Sequence, residues 1–238
     1  MTLRLVIHSD HEAVSQALAK DLSDLIRLTP RARMAWPSGQ SPVRAYELLA
    51  EQVQAGRLDC QGLTLFALDE YLGLPAADPR SFANFFARHV FDPLGIPKER
   101  AGVLRGDTED PLAELSRYER QIAADGGLAL SLLGLGANGH IAFNEPAEAL
   151  RLGAHVAQLQ APANAIAPFG LTLGIGALLG PSAVWLLATG ASKATAVTQM
   201  LSGTLDPRWP ASCLQLHQNV TFYLDEAAAA QIPASMRV

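Results

Sequence analysis

The sequence is short of cysteine, aromatic residues and charge, and each shortage excludes a class of protein. Its 238 residues include two cysteines, Cys60 and Cys213, which form no C-x-x-C pair, so a disulfide scaffold, a redox motif and a zinc ribbon are all excluded. Charged residues make up 17% and hydrophobic residues 49%, which is not the composition of a disordered chain. Because aromatics make up only 6%, we expect a core of Leu, Ala and Val.

The sequence also lacks an excess of positive charge and any long apolar run. A formal net charge of −5 argues against a general nucleic-acid binder, which needs a basic surface to displace phosphate counterions. No uninterrupted apolar stretch reaches 18 residues, and the run at residues 3–7 is too short for a signal peptide. We therefore expect that neither nucleic acid nor a membrane is a partner and that the protein is cytoplasmic. In that compartment its two cysteines should be free thiols.

Patterns typical of metal and nucleotide sites are missing as well. No pair of histidines has the H-x-x-x-H spacing, so we expect no metal. Gly134, Gly136 and Gly139 match G-x-G-x-x-G, but this motif alone is a weak signal, and His140 occupies the position of the helix entry. We expect no cofactor.

Apolar strands alternate with amphipathic helices along the whole chain, which predicts a mostly parallel sheet covered by helices on both sides. We expect one α/β domain over residues 1–238. The predicted strands are residues 3–7, 34–36, 63–68, 103–104, 128–133, 183–189 and 220–224. The predicted helices are residues 13–26, 42–53, 111–122, 192–201 and the alanine run 227–230.

Polar segments follow several of these strands, at the sheet edge where ligands of such folds bind. After the strand 128–133 comes Gly134-Leu135-Gly136-Ala137-Asn138-Gly139-His140-Ile141-Ala142-Phe143-Asn144-Glu145-Pro146. Its glycines allow a close approach of the backbone to a ligand, and an amide and a carboxylate could surround the imidazole. The alternative is that His140 only caps a turn while Asn144 forms an Asx turn.

Two further segments are candidates for chemistry. Asp69 and Glu70 directly follow the strand 63–68. Because neighbouring side chains in an extended chain point in opposite directions, only one of the two should face the cleft. We choose Asp69. The alternative is a solvated loop carboxylate or a helix cap. The turn Ser38-Gly39-Gln40-Ser41 leads into a helix, so its backbone N–H groups suit a phosphate, as does Lys193 at another helix start. A plain connection and a solvated lysine are the alternatives.

Three of these stretches together resemble the glucosamine-6-phosphate deaminases. They are Asp69-Glu70-Tyr71-Leu72-Gly73-Leu74, Gly139-His140-Ile141-Ala142-Phe143-Asn144-Glu145-Pro146 and Ser212-Cys213-Leu214-Gln215-Leu216-His217. The resemblance implies a three-layer α/β/α sandwich with a modified Rossmann-like topology. The related 6-phosphogluconolactonases share the fold but lack the F-N-E-P sequence, so the deaminase branch is favoured over a lactonase, another sugar-phosphate isomerase or a non-catalytic sugar-phosphate sensor.

The resemblance also implies roles for individual residues. Asp69 is the base that moves the proton from C2 to C1 of an opened amino-sugar phosphate, and His140 opens the ring, oriented by Asn138 and Glu145. The product is fructose 6-phosphate with release of ammonia, a step of amino-sugar catabolism. Substrate and phosphate binding is expected of Ser38, Gly39, Gln40, Ser41, Lys193, Glu70, Gly136 and Ala137.

The chain departs from the resembled family at two places. Ile166 stands where the phosphate-binding arginine is expected, so that Arg80, Arg88 or a partner subunit would have to compensate. His155 and Ala157 lie near the positions of basic residues that bind an effector in the hexameric allosteric members. We therefore expect a non-allosteric monomer or small homo-oligomer.

Overall fold

The computed structural model describes residues 2–236. The strands are β1 (Thr2–His8), β2 (Arg33–Trp36), β3 (Thr64–Ala67), β4 (Asp69–Tyr71), β5 (Ala101–Gly102), β6 (Leu130–Gly134), β7 (His155–Gln158), β8 (Phe169–Thr172), β9 (Ala183–Ala188) and β10 (Asn219–Asp225). The α-helices are α1 (His11–Leu28), α2 (Val43–Gln54), α3 (Phe82–Phe86), α4 (Asp92–Leu94), α5 (Pro111–Ala123), α6 (Ile175–Leu179) and α7 (Ala194–Leu201). A π-helical turn, Ala87–Phe91, joins α3 to α4. Short 3₁₀ helices lie at Lys98–Arg100, Ala124–Gly126, Ala163–Ala165, Ala191–Lys193, Pro210–Leu216 and Ala234–Met236.

The central sheet has seven strands in the order β1-β10-β9-β6-β2-β3-β5, and every neighbouring pair is parallel. Its strands therefore all end at the same edge. A second sheet, β4-β8-β7, is antiparallel, with Asp69 opposite Thr172. It begins one residue after β3, so the small sheet stands directly above the carboxyl edge of the large one.

Both faces of the central sheet are covered by helices, as predicted. Met34 and Trp36 of β2 belong to one apolar cluster, with α1, α2 and α4, whereas Ala35 belongs to the other, with α5, α6 and α7. Because successive side chains of a strand point to opposite faces, this alternation requires two separate layers of helices. The predicted α/β/α architecture is thus confirmed.

Two of the longest helices, α1 and α5, begin at aspartates that cap them. The Asp10 carboxylate accepts a hydrogen bond from the backbone N–H of Ala13 at 2.9 Å, and Asp110 accepts one from Ala113 at 3.0 Å. Each bond satisfies an N–H group that lacks a partner within the first helical turn. None of the helices between residues 2 and 236 is both long and apolar enough to cross a membrane.

Two local predictions are wrong. The strand expected at residues 103–104 lies at Ala101–Gly102, where backbone pairing with Leu65 and Phe66 is available. The alanine run 227–230 forms turns instead of a helix. Here the Asp225 carboxylate accepts a hydrogen bond from the Ala228 N–H at 2.7 Å, and Ala228 and Ala229 pack into the core. Tertiary contacts therefore override the helical propensity of alanine.

Candidate active site

A cavity of about 630 Å³ opens at the carboxyl edge of the central sheet. Four neighbouring strands, β9, β6, β2 and β3, deliver their following segments to it. All the predicted site residues except Glu70 and Glu145 line its wall, namely Ser38, Gly39, Gln40, Ser41, Asp69, Gly136, Ala137, Asn138, His140 and Lys193. The sheet topology thus brings together residues that are up to 155 positions apart, from Ser38 to Lys193.

Asp69 presents a buried carboxylate to this cavity. It is 6% exposed, and its Oδ1 atom has no hydrogen-bond partner among the described residues. Burial, followed by the negative charge of Glu70, raises the pKa of Asp69 well above its ordinary value. A carboxylate that is poorly solvated and not engaged by the protein is a stronger proton acceptor than one in water, which suits a general base.

Glu70 does not line the cavity, and its role in substrate binding stays a prediction. Its carboxylate accepts hydrogen bonds from the backbone N–H groups of Tyr71 at 2.8 Å, Phe82 at 2.9 Å and Ala83 at 2.7 Å. These bonds fix the start of α3 beneath the small sheet. The alternation along β4 explains why two adjacent carboxylates have such different surroundings.

His140, Glu145 and Asn138 form a connected group on the opposite side. The Nδ1 atom of His140 lies 3.5 Å from Oε2 of Glu145, and the Asn138 side-chain amide donates to that same oxygen at 2.8 Å. Burial tends to raise the pKa of Glu145, but the contacts with His140 and Asn138 outweigh it, so the pKa is lowered. A carboxylate at this distance can orient the imidazole ring. Asn138 orients the carboxylate and accepts from the His140 backbone N–H at 3.2 Å, so its effect on the ring is indirect.

Two glycines allow the His140 turn to form, for different reasons. Gly139 has φ +86, and a Cβ atom there would lie 2.7 Å from the ring of Trp209. Gly136 has no positive φ, but a Cβ atom would lie 2.6 Å from the His140 ring. The 3₁₀ helix that carries Ser212 to Leu216 supports the turn through a hydrogen bond from Ala211 N–H to Gly139 O at 2.9 Å. This third motif is therefore a support for the site.

The turn Ser38–Ser41 has the features of an anion-binding site. The Tyr46 hydroxyl donates to the Pro37 carbonyl at 2.9 Å, and His11 Nε2 donates to the Ser41 carbonyl at 2.9 Å, so both ends are fixed. No N–H group of residues 38–41 donates a hydrogen bond to another described residue. These donors precede α2, whose N-terminus has no side-chain cap, and they are free to bind an anion.

Lys193 supplies the positive charge of the cavity. Burial lowers its pKa, and no ion pair links it to a carboxylate in the part of the chain that the structure describes. Neither Arg80 nor Arg88 lines the cavity, and Arg80 is bound to Asp78 at 2.7 Å. The two arginines considered as compensation therefore do not line the cavity, and among the described lining residues Lys193 is the one lysine or arginine.

The rest of the wall is apolar, and most of it was not predicted. Tyr71, Phe82 and Phe143 pack together with ring centroids 4.7 to 5.5 Å apart. Tyr71 and Phe143 belong to recognised motifs, but nothing in the sequence marks Phe82. Ile166 completes the wall with the segment 161–163 and is 37% exposed.

A second cavity of about 420 Å³ lies behind Glu145 and includes Arg151, His155 and Ala157. Burial lowers the pKa of His155. Across residues 2–236 there is no group of three His, Cys, Asp or Glu side chains arranged to hold a metal ion.

One edge of a parallel sheet thus holds a turn with the features of an anion-binding site, an unpaired buried carboxylate and an imidazole–carboxylate pair. These features define an α/β protein equipped to move protons on an anionic small molecule. Comparison with known proteins gives the particular family. Residues 9–223 match the family described as glucosamine-6-phosphate isomerases/6-phosphogluconolactonase, and the chain belongs to it.

Similar proteins agree with this membership. The chain is 39% identical to a glucosamine-6-phosphate deaminase of Shewanella loihica, over 97% of the chain and 90% of the relative. It is 40% identical to one from Rhodopirellula baltica, over 95% of each. The solved structure of a monomeric glucosamine-6-phosphate deaminase superposes with a TM-score of 0.91 at 32% identity, covering 96% of this chain and 99% of that one. A 6-phosphogluconolactonase from Trypanosoma cruzi, with a TM-score of 0.82 and 21% identity over 98% of each chain, shares the fold.

Proposed function

We propose that the chain converts glucosamine 6-phosphate and water into fructose 6-phosphate and ammonia. The observation that carries this proposal is the Asp69 carboxylate, buried without a hydrogen-bond partner on Oδ1 and facing the same cavity as His140 and Lys193. Proton transfer between adjacent carbons needs one base on one face of the substrate. The relatives named as deaminases, at 39% and 40% identity, support this reaction.

The phosphate is held by the N–H groups of residues 38–41 and by Lys193. His140 opens the pyranose ring by delivering a proton to O5, and Glu145 stabilises the imidazolium that supplies it. Opening produces an aldehyde at C1, which makes the C2–H bond acidic. Asp69 removes that proton and returns it to C1 through a cis-enolamine. Over the same step O1 takes up a proton and the amine gives one up, which leaves a hydroxyl at C1 and an imine at C2. Water adds to the imine carbon, and ammonia departs as the ketone forms.

The apolar wall of Tyr71, Phe82, Phe143 and Ile166 limits water around Asp69. Limiting water keeps the carboxylate basic and protects the enolamine from random protonation. A lactonase needs no proton transfer from carbon, so the unpaired Asp69 favours the deaminase over lactone hydrolysis.

We also propose that the substrate is a small amino-sugar phosphate of catabolic origin and that the protein acts in the cytoplasm as a monomer or small homo-oligomer. The monomeric solved relative supports the smaller assembly. Two buried thiols and the net charge of −5 are compatible with a reducing compartment.

The test is to incubate purified protein with glucosamine 6-phosphate and measure ammonia and fructose 6-phosphate separately. We expect equal amounts of both products. The matched control is Asp69→Asn, which should abolish product formation and exchange of the C2 proton with D₂O while phosphate binding is retained. Absence of turnover by the folded wild type, or hydrolysis of 6-phosphogluconolactone that survives Asp69→Asn, would contradict the proposal.

A further inference from the structure

Asp225 is a buried carboxylate outside the cavity wall. It ends β10 and is 6% exposed. Both of its carboxylate oxygens accept the backbone N–H of Gly190, at 3.0 and 2.9 Å, and Oδ1 also accepts the N–H of Ala228. A carboxylate that is this buried costs desolvation energy unless its hydrogen bonds compensate.

Gly190 connects this carboxylate to Lys193. It follows β9, the neighbour of β10, and has φ +90, a conformation that favours glycine. Its N–H group is bound by Asp225, whereas its carbonyl oxygen accepts the backbone N–H of Lys193 at 3.0 Å. Gly190 is thus hydrogen-bonded both to the Asp225 carboxylate and to the backbone of Lys193, the residue that carries the cavity's positive charge.

The side chain of Lys193 has little else to fix it. It forms no hydrogen bond or ion pair with any other described residue, and its helix α7 begins only at Ala194. The location of its ammonium group is therefore set mainly by the path of residues 190–193. That path is constrained at its start by Asp225.

We propose that Asp225 is a positioning residue for phosphate binding, which acts by fixing the turn 190–193 so that Lys193 reaches the substrate's phosphate. This inference rests on the proposed function, because it assigns the anion at Lys193 to an amino-sugar phosphate. Asp225 does not contact the substrate. The competing interpretation is purely structural, since the bond to Ala228 also holds the turn that follows β10.

A double-mutant cycle separates the two interpretations. Asp225→Asn can keep Oδ1 as acceptor for both N–H groups, but it replaces Oδ2 with an amide NH₂ that faces the N–H of Gly190, so residues 190–193 should lose their fixed position. We expect KM for glucosamine 6-phosphate to rise about fivefold to tenfold, part of what a charge-assisted contact contributes, while kcat changes less than about twofold. In a Lys193→Met background the same change should have almost no further effect on KM.

Two controls accompany the cycle. Asp110→Asn removes a capping carboxylate on α5, far from Lys193 in the chain, and should leave KM unchanged. The affinity for inorganic phosphate, measured by calorimetry in all four members of the cycle, should follow the same pattern as KM. The phosphate affinity tests the positioning role even if the wild type fails to turn over glucosamine 6-phosphate. That failure would reject the proposed function but not the positioning role of Asp225.

Equal losses of phosphate affinity from Asp225→Asn in the wild-type and Lys193→Met backgrounds would overturn the positioning role. An unchanged affinity in folded Asp225→Asn would overturn it too. If Asp225→Asn does not fold, Gly190→Ala provides the second variant, because it strains the same turn and leaves the bond between Asp225 and Ala228 intact. It should raise KM only while Lys193 is present, and an equal rise without Lys193 would reject the proposal.

Discussion

Ile166 places an aliphatic side chain on the cavity wall, at the position where the sequence resemblance predicts a phosphate-binding arginine. Its neighbours Ala161, Pro162 and Ala163 are also apolar, and neither Arg80 nor Arg88 lines the cavity. In the proposed function, phosphate binding then depends on Lys193 and the N–H groups of residues 38–41. A site with one lysine should bind a phosphate dianion less tightly than one that adds a bidentate guanidinium.

Ile166→Arg should therefore lower KM for glucosamine 6-phosphate by roughly tenfold, since one charge-assisted contact contributes about 1.5 kcal/mol or more. The residue is partly exposed, so solvent screening keeps the gain at the lower end. Steady-state kinetics measure it, with Ile166→Met as the control that changes shape without charge. An unchanged KM in Ile166→Arg, with inorganic phosphate affinity also unchanged, would mean that the phosphate does not lie beside this wall.

At the residue scale, the sequence was most informative where a motif and the strand pattern coincide. Asp69 could be preferred to Glu70 because alternation along a strand places them on opposite sides. The indirect action of Asn138 could not be predicted, since it depends on which oxygen of Glu145 its amide reaches. Phe82 could not be predicted either, because its place on the wall results from the bonds of Glu70 to α3.

The turn from Gly136 to His140 shows how an element depends on another that is distant in sequence. The turn is closed by hydrogen bonds from Gly136 N–H to His140 O at 2.8 Å and from Gly139 N–H to Gly136 O at 3.0 Å. The ring of Trp209 packs against Gly139 of this turn. The geometry of the His140 imidazole is thus maintained by a segment about 70 residues further along the chain.

Gly139→Ala should destabilise the protein by about 2 kcal/mol, because it combines a strained φ with a clash against Trp209. For a chain of this size that corresponds to a fall in Tm of roughly 4–8 °C. We expect kcat to fall by more than the loss of stability alone would cause, since the turn positions His140. The matched control is Gly126→Ala, which has a similar φ of +88 but nothing within 4 Å. Equal effects of the two substitutions on Tm and kcat would show that Trp209 does not support the turn.

Elements with strong apolar periodicity were predictable, and short ones formed by tertiary contacts were not. The strands of the central sheet at β1, β2, β3, β6, β9 and β10 were all expected from their apolar runs. The strands β4, β7 and β8 were not, because each has only three or four residues and is defined by its partners in the small sheet. The prediction of a helix for the alanine run after β10 was wrong, because the Asp225 carboxylate accepts the Ala228 N–H and holds this segment in turns.

At the scale of the whole molecule, two buried carboxylates, one bound by arginines and one without partners, make the stability of the fold depend on pH with opposite signs. Burial alone would raise the pKa of Glu114, but hydrogen bonds from Arg117 and Arg105 lower it to about 2. Asp69 has no such partners, and its pKa is raised well above its ordinary value. One group favours the folded state when ionised, and the other disfavours it.

The sign of each contribution follows from linkage. A lowered folded pKa gives stability that is present above the ordinary pKa of about 4.5 and is lost as the pH falls toward about 2. For Asp69 the folded state holds its proton more tightly than the unfolded state, so its contribution is favourable at low pH. That contribution is lost as the pH rises from about 4 through the raised folded pKa.

Asp69→Asn should therefore raise Tm at pH 8 by roughly 2–4 °C, as expected for relief of about 1 kcal/mol, and should change Tm much less near pH 4. Glu114→Gln should have the opposite sign and lower Tm at pH 7, with an effect that shrinks toward pH 2. Thermal unfolding of both variants and the wild type across this range provides the measurement. A loss of Tm at pH 8 in Asp69→Asn would mean that the carboxylate stabilises the folded state. It would then not have the unpaired character proposed for the base, whereas a gain would show that the protein retains a destabilising carboxylate at the position proposed for proton transfer.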